Sequence, residues 1–421
     1  MIRSFAAESA AAARTEFDVS GDNIVWAILS AGIDGSHPHF RTHANLELPA
    51  GLRHVDFTSP DLSPEISERE ALTDLQGVGT HAAALVAGDP KSPVLATAAH
   101  KCKIVSLKIV ADDGKRGGER EVVLALEHLA EVNREQLRIH GVLVPLSIPM
   151  DVRNYPAGAS PVCRALEQLV RLGMVAVAAA GNRGFDDERK VAIPYSITDP
   201  GNAELALTVG STGRDPQLHG VSWFSCRGPT LDGRVKPDIL AQGERVSSAL
   251  PMDEVDQRDG SSTAAAIVSA GIAMLLSAFP RLIGHPLEVK RLLMENALDL
   301  RADRYGQGAG AFDLVATLRA ARKADSATIA EQPAPAPAPI EKAGGTQSRL
   351  EGEVEPVSLA GPARRYKVAV SFAGTDREFV TGVVYRLRGK GMRREHIFFD
   401  DFVKAALARP NLDAFLEKVY A

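Results

Sequence analysis

The sequence predicts an α/β protein: a parallel sheet with its helices, joined by a linker to a smaller βαβα module. Three observations carry that reading. Strand-like apolar runs alternate with amphipathic helical runs over residues 23–321, which is the alternation a parallel sheet needs. Residues 260–266 (GSSTAAA) open an almost wholly apolar helical run, 264–279, broken only by Ser269, Gly271 and Ser277. A Pro/Ala tract at 332–339 then separates this region from a second, shorter α/β pattern.

Taken in order, residues 1–21 form an N-terminal extension. Residues 23–29 read as a buried strand and 48–76 as a polar connection rich in proline and acidic residues. A helix is expected over 79–88, a strand over 102–110 (CKIVSLKIV), and a helix over 119–133 with Val122, Val123, Leu126, Leu129 and Ala130 on one side. A strand follows at 141–148 (GVLVPLSI), then a helix at 161–172 feeding a strand at 175–179. The run 264–279 is about four residues short of the roughly 20 that span a bilayer, so it reads as a buried helix. Two closing helices are expected at 287–297 and 311–321. Residues 323–364 read as a semi-extended linker, because alternating proline favours the polyproline conformation. In 365–421, strands at 366–374 (YKVAVSFAG) and 396–400 (HIFFD) alternate with helices ending at 389 and spanning 412–420.

Composition bounds the function. The chain has 421 residues, 45% apolar and 24% charged, with a formal net charge of −5, which argues against a general nucleic-acid or anionic-membrane surface. Its three cysteines, Cys102, Cys163 and Cys226, are widely spaced, so neither a disulfide framework nor a metal site follows, and no cofactor is expected. Residues 1–17 carry Glu8, Arg14 and Glu16 and lack a continuous apolar core of export-signal length, so a cytoplasmic location is expected.

Ser262 sits at the start of the apolar helix, where a helix leaves backbone N–H groups unpaired. A serine there can be a simple N-cap, or a nucleophile beside an anion-stabilising helix end. Three further stretches bear on the choice: 174–184 (MVAVAAAGNRG), 224–243 (FSCRGPTLDGRVKPDILAQG) and 305–318 (YGQGAGAFDLVATL). With the serine stretch, in order and at sensible spacing, they resemble the subtilase family of serine peptidases over roughly residues 22–322. The resemblance implies a subtilisin-like parallel sheet with helices on both faces. It implies Ser262 at the nucleophile position and Asn182 at the position whose amide helps form the oxyanion hole.

The same resemblance exposes losses. Where the family ends its first strand with an aspartate, this chain reads IVWAILSAGIDGSHPHF (24–40), with Ser30 at that position. Where the family reads Gly-His-Gly-Thr-His, this chain reads GVGTH (77–81), with Val78 at the general-base position. Ser261 replaces a usual threonine, Thr263 a methionine, Ala266 a proline, and Gln242 another proline. Pro149 stands where the family has a glycine on the strand that pairs with the substrate; it either disturbs peptide docking along that edge or only kinks the strand end. A serine hydroxyl is a weak nucleophile until a base takes its proton, and valine has no lone pair. His81 is the nearest histidine in sequence to the vacated position; Asp34 and His37 read as loop or cap residues. The expectation is a catalytically degenerate domain whose cleft binds a peptide or protein. Its rival is an active serine endopeptidase with a substitute base.

Residues 365–421 resemble the first half of a bacterial TIR domain, through SFAG-x-Asp-Arg (371–377) and the strand end Phe-Phe-Asp (398–400). That resemblance implies a flavodoxin-like half-domain, TIR–TIR or other protein partners, and a role in bacterial defence or signalling. The family's enzymatic glutamate belongs to a later helix, so NAD consumption would need residues beyond those in this chain; Glu417 lies on the wrong helix.

Overall fold

The computed structural model describes residues 5–59, 62–89, 98–112 and 117–331, together with strand residues 368–370 and 397–399. They divide between two units, Met1–Ala336 and Pro337–Ala421.

The first unit runs α1 (Phe5–Phe17), β1 (Val25–Ser30), β2 (Val55–Asp56), α2 (Pro64–Ala71), α3 (Val78–Val86), β3 (Lys103–Lys108), α4 (Glu119–Val132) and β4 (Gly141–Val144). It continues with α5 (Pro161–Arg171), β5 (Val175–Ala179), the short pair β6 (Phe185–Asp186) and β7 (Val191–Ala192), β8 (Leu207–Thr212), α6 (Pro216–His219) and β9 (Ile239–Gln242). The hairpin β10 (Val246–Leu250) and β11 (Glu254–Arg258) precedes α7 (Ser261–Ala278), α8 (Pro286–Glu295), α9 (Arg304–Gln307) and α10 (Leu314–Glu331).

Seven strands form one parallel sheet in the order β2-β3-β1-β4-β5-β8-β9. Its central strands are buried along their whole length, as expected of a parallel sheet covered on both faces. The pleat sorts β1: Trp26 and Ile28 face one apolar layer with α3, α7 and α8, while Val25, Ala27 and Leu29 face the other with α4 and α5. The α/β class and the helices on both faces therefore match the expectation from sequence. By composition α7 is long and apolar enough to cross a membrane, yet every residue from Thr263 to Leu276 is buried in this fold. Small residues at Ala264, Ala265 and Ala266 let it lie close against the sheet.

Some elements differ from the expectation. The polar connection 48–76 contains β2 and α2; Ser63 caps α2 by accepting the Ile66 N–H at 3.4 Å, and Pro64 starts it. The strand expected over 141–148 stops at Val144, where Pro145 offers no N–H to the ladder. Ile148 instead exchanges hydrogen bonds with Asp199. The N-terminal extension holds α1, which buries Ala10 and Ala13 and pairs Glu16 with Arg319 at 2.7 Å. The last helix runs on to Glu331, past residue 323 where the sequence places the linker. The rest of the linker lies outside the described residues.

In the second unit, β12 (Val368–Val370) and β13 (Ile397–Phe399) pair in parallel, Val368 opposite Ile397. The two helices expected there lie outside the described residues.

Candidate active site

The strand order reverses between β1 and β4, and in open α/β sheets ligands bind beyond the carboxyl ends of strands at such a switch. Both halves of the site lie on that edge. α3 starts beside Ser30, the last residue of β1, and α7 starts at the loop that follows β5.

The α7 half is assembled by two reciprocal hydrogen bonds. The Ser261 N–H donates to Asn182 Oδ1 at 2.8 Å, and the Gly181 N–H donates to Ser261 Oγ at 3.0 Å. A backbone N–H can only donate, so the contact fixes which end of the Asn182 amide faces the helix. The amide nitrogen is turned the other way. A Cβ placed on Gly260 (φ 155°) would lie 3.0 Å from Ser262 Oγ and 3.3 Å from Asn182 Nδ2, so both groups border one small space before the helix end. A side chain at 260 would fill that space, and the backbone conformation also favours glycine. Among the described residues, neither Ser262 Oγ nor the N–H groups of Ser262 and Thr263 makes a hydrogen bond. Asn182 is exposed and Ser262 half-buried, so the donors are open to a ligand.

The α3 half holds Ser30 and Val78. A Cβ on Gly79 would fall 1.8 Å from Gly32 O, so glycine alone lets α3 seat on the end of β1. The same point lies 3.1 Å from Ser30 Cβ, which puts the buried Ser30 directly against the helix start that carries Val78. Val78 is 39% exposed, and its side chain carries only methyl groups. Asp74, which sequence reasoning missed, organises this start. Its buried carboxylate accepts the N–H groups of Gln76 (3.0 Å), Gly77 (2.7 Å) and Thr80 (2.9 Å), and the Thr80 hydroxyl (2.7 Å). An acidic residue just before a helix, with threonine six residues on, was the readable signal.

His81 is spent elsewhere. Its ring is buried, its Nε2 lies 3.2 Å from Val246 O, and its own carbonyl accepts the Ser248 hydroxyl at 2.8 Å. Burial, with the nearby Arg258 guanidinium, drives its pKa down to about 4. Asp34 and His37 serve local structure: Asp34 Oδ1 accepts the Ser36 N–H at 2.9 Å, and His37 Nδ1 accepts the His39 N–H at 3.1 Å. Among the described residues no group of three or more His, Cys, Asp or Glu side chains could hold a metal ion. Chemically, the start of α7 gathers hydrogen-bond donors: Asn182 Nδ2, the Ser262 hydroxyl and the N–H groups of Ser262 and Thr263.

The model of the subtilase family matches residues 21–312. The chain is 26% identical over 315 residues to the major intracellular serine protease of Bacillus subtilis, covering 74% of this chain and 87% of that protein. It is 29% identical over 269 residues to the serine protease AprX of the same organism, covering 58% of each. Among solved structures it is similar to the prenylagaramide maturation protease PagA (TM-score 0.55, 21% identity, 74% of this chain and 97% of that one). The self-cleaved protease domain of PatA matches to a similar degree (TM-score 0.54, 24% identity, 72% of this chain and 97% of that one). At those identities the two structures speak for the fold alone.

Proposed function

The chain belongs to the subtilase family, and from that premise we propose that its cleft retains peptides without cutting them. The observation that carries the reading is the pairing of an assembled Ser262–Asn182 corner with valine and serine at the base and acid positions. Loss of the base in a serine triad costs about 10⁶ in turnover. His81, the nearest histidine in sequence, is buried, neutral and bound to Val246 O.

The loss also changes what the corner prefers to hold. Asn182 Nδ2, the Ser262 hydroxyl and the helix-end N–H groups all donate, and serine stands at position 30 where the family has an acid. That set suits a carbonyl oxygen or, better, the carboxylate at a peptide's C-terminus. Fused to a TIR-like segment at 365–421, such a receptor fits an adaptor in bacterial defence or signalling; the support there is motif resemblance.

A second reading, an active endopeptidase with a substitute base, is favoured by the relatives, which are named as serine proteases. Fluorophosphonate labelling separates the two. The receptor reading expects no labelling of the native protein; labelling that disappears in Ser262→Ala would overturn it. Titration with paired peptides tests the ligand class: the free-acid peptide should bind at least ten-fold more tightly than its C-terminal amide, and equal affinities would sink the carboxylate reading.

A further inference from the structure

A cavity of about 420 Å³ lies on the opposite edge of the sheet from the Ser262–Asn182 corner. It opens at the amino ends of β1 and β3, whose first residues, Val25 and Lys103, are register partners. Its volume falls within the roughly 300–1,000 Å³ of small-molecule sites. Such sites are mostly apolar, whereas Lys101, Lys103, His43, Asp22 and Asn23 supply most of this lining. That lining suits a charged ligand rather than an apolar one.

The walls are fixed and the charges do not cancel. Asn45 is fully buried, and its Nδ2 donates to His100 O and Cys102 O, both at 2.8 Å, which ties the 43–49 loop to the residues leading into β3. Lys101 and Lys103 flank the buried Cys102, and side chains two apart on an extended chain share a side. Both oxygens of Asp22 are engaged: Oδ1 lies 3.1 Å from Lys101 Nζ, and Oδ2 accepts the Ser20 hydroxyl. The carboxylate therefore positions Lys101. Lys103 has no carboxylate partner among the described residues; its Nζ donates to Ala44 O at 2.7 Å and His43 O at 3.4 Å, which leaves one N–H unused and the charge unpaired. The His100 ring, 4.9 Å from that of His43, senses the excess. Burial, then the charges of His43, Arg14 and Lys101, hold its pKa below the ordinary value, with Asp22 opposing.

We propose that this cavity binds a small phosphomonoester, its phosphoryl group held by the Lys101 and Lys103 ammonium groups beside His43. Lysine donates and never accepts, and a phosphoryl group brings nearly two negative charges and three strong acceptor oxygens. A carboxylate brings one charge and two oxygens to the same donors, so it is the poorer match. A phosphoryl group alone fills only a fraction of the cavity, so the ligand carries an organic part as well.

Calorimetric titration of the full chain with glycerol 3-phosphate tests this, with glycerol and with sodium chloride of equal ionic strength as controls. Saturable binding is expected for the ester and for neither control. Lys103→Met keeps the stem without the charge and should weaken binding at least ten-fold. Lys101→Glu, at a position 47% exposed, should abolish it, and carries the test if Lys103→Met fails to fold. Asp22→Asn removes the lining carboxylate and should bind the ester at least as tightly as the parent. No saturable binding, a titration that sodium chloride reproduces, or an affinity unchanged in Lys101→Glu would overturn the proposal. Inorganic phosphate binding as tightly as the ester would overturn its organic part. The readout needs neither Ser262 nor a peptide, so failure of the receptor reading leaves it untouched.

Discussion

Placing an acid at position 30 and a base at position 78 tests directly the proposal that the cleft does not cut for want of them. In Ser30→Asp with Val78→His, the new imidazole replaces a side chain already 39% exposed, so no core cavity or clash is created. The new carboxylate would sit at a buried position against the start of α3. There the N–H groups of Val78 and Gly79 make no hydrogen bond among the described residues, and the positive helix end offsets part of the desolvation cost. A full triad is worth about 10⁶ in turnover, about 8 kcal/mol. Each grafted group misplaced by about 1 Å forfeits about 10², so a gain of about 10²–10⁴-fold is expected from the pair. The assay is turnover of a small activated ester, with fluorophosphonate labelling alongside. Small probes need no pairing along the segment that carries Pro149. Val78→His alone should gain less, and adding Ser262→Ala should abolish the gain. A double variant that melts like the parent yet shows no Ser262-dependent gain would refute the idea that base and acid are all the corner lacks. Strong labelling of the parent would refute it from the other side.

Three further outcomes are expected. Asp238 is buried and bridges Lys236 at 2.7 Å and Lys290 at 3.0 Å, so Asp238→Ala leaves two lysines without their carboxylate. It should cost about 3–5 kcal/mol in urea unfolding, and a loss under about 1 kcal/mol would contradict the burial argument. Burial brings His39 to about 4 and, with Arg258 nearby, His81 to about 4 as well. Unfolding returns both to about 6.5, so neither affects stability above that pH, and each removes about 3 kcal/mol as pH falls from about 6.5 to about 4. Stability that stays level across that window would show the two rings are not held neutral. Asn182→Ala removes the acceptor for the Ser261 N–H and should destabilise the fold by about 1 kcal/mol while weakening carboxylate-peptide binding at least ten-fold.

The sheet was legible because its strands are short apolar runs at the spacing a covered parallel sheet imposes, and α7 because only a core helix is apolar on every side. α2 was not, since PEISEREA carries little apolar surface and is marked mainly by its cap. The β10–β11 hairpin was also missed: β11 reads EVDQR, an exposed strand whose register comes from its partner. Within the site, Ser262, Asn182, Ser30 and Val78 could be placed from motif order. The neighbours that decide their chemistry could not. Asp74 beneath α3, and Val246 O occupying the His81 ring, are contacts between distant segments that no local pattern announces.

The presence of Ser262 and Asn182 beside Val78 and Ser30 at the family's base and acid positions looks at first like a sign of surviving chemistry, but the contacts separate the two residues. Asn182 has a structural role that owes nothing to catalysis, because its Oδ1 caps α7 through the Ser261 N–H. Stability alone would keep it. Ser262 has no comparable role in the fold. Its hydroxyl makes no hydrogen bond among the described residues and borders the same small space at Gly260 as Asn182 Nδ2. Its neighbour Ser261 already supplies the hydroxyl that accepts the Gly181 N–H. If a ligand oxygen is held there, Ser262 is one of its donors and Ser262→Ala loses binding with little loss of stability. If nothing is held there, the same substitution is silent in both measurements. Ser262 therefore reports on function where Asn182 reports on function and folding together.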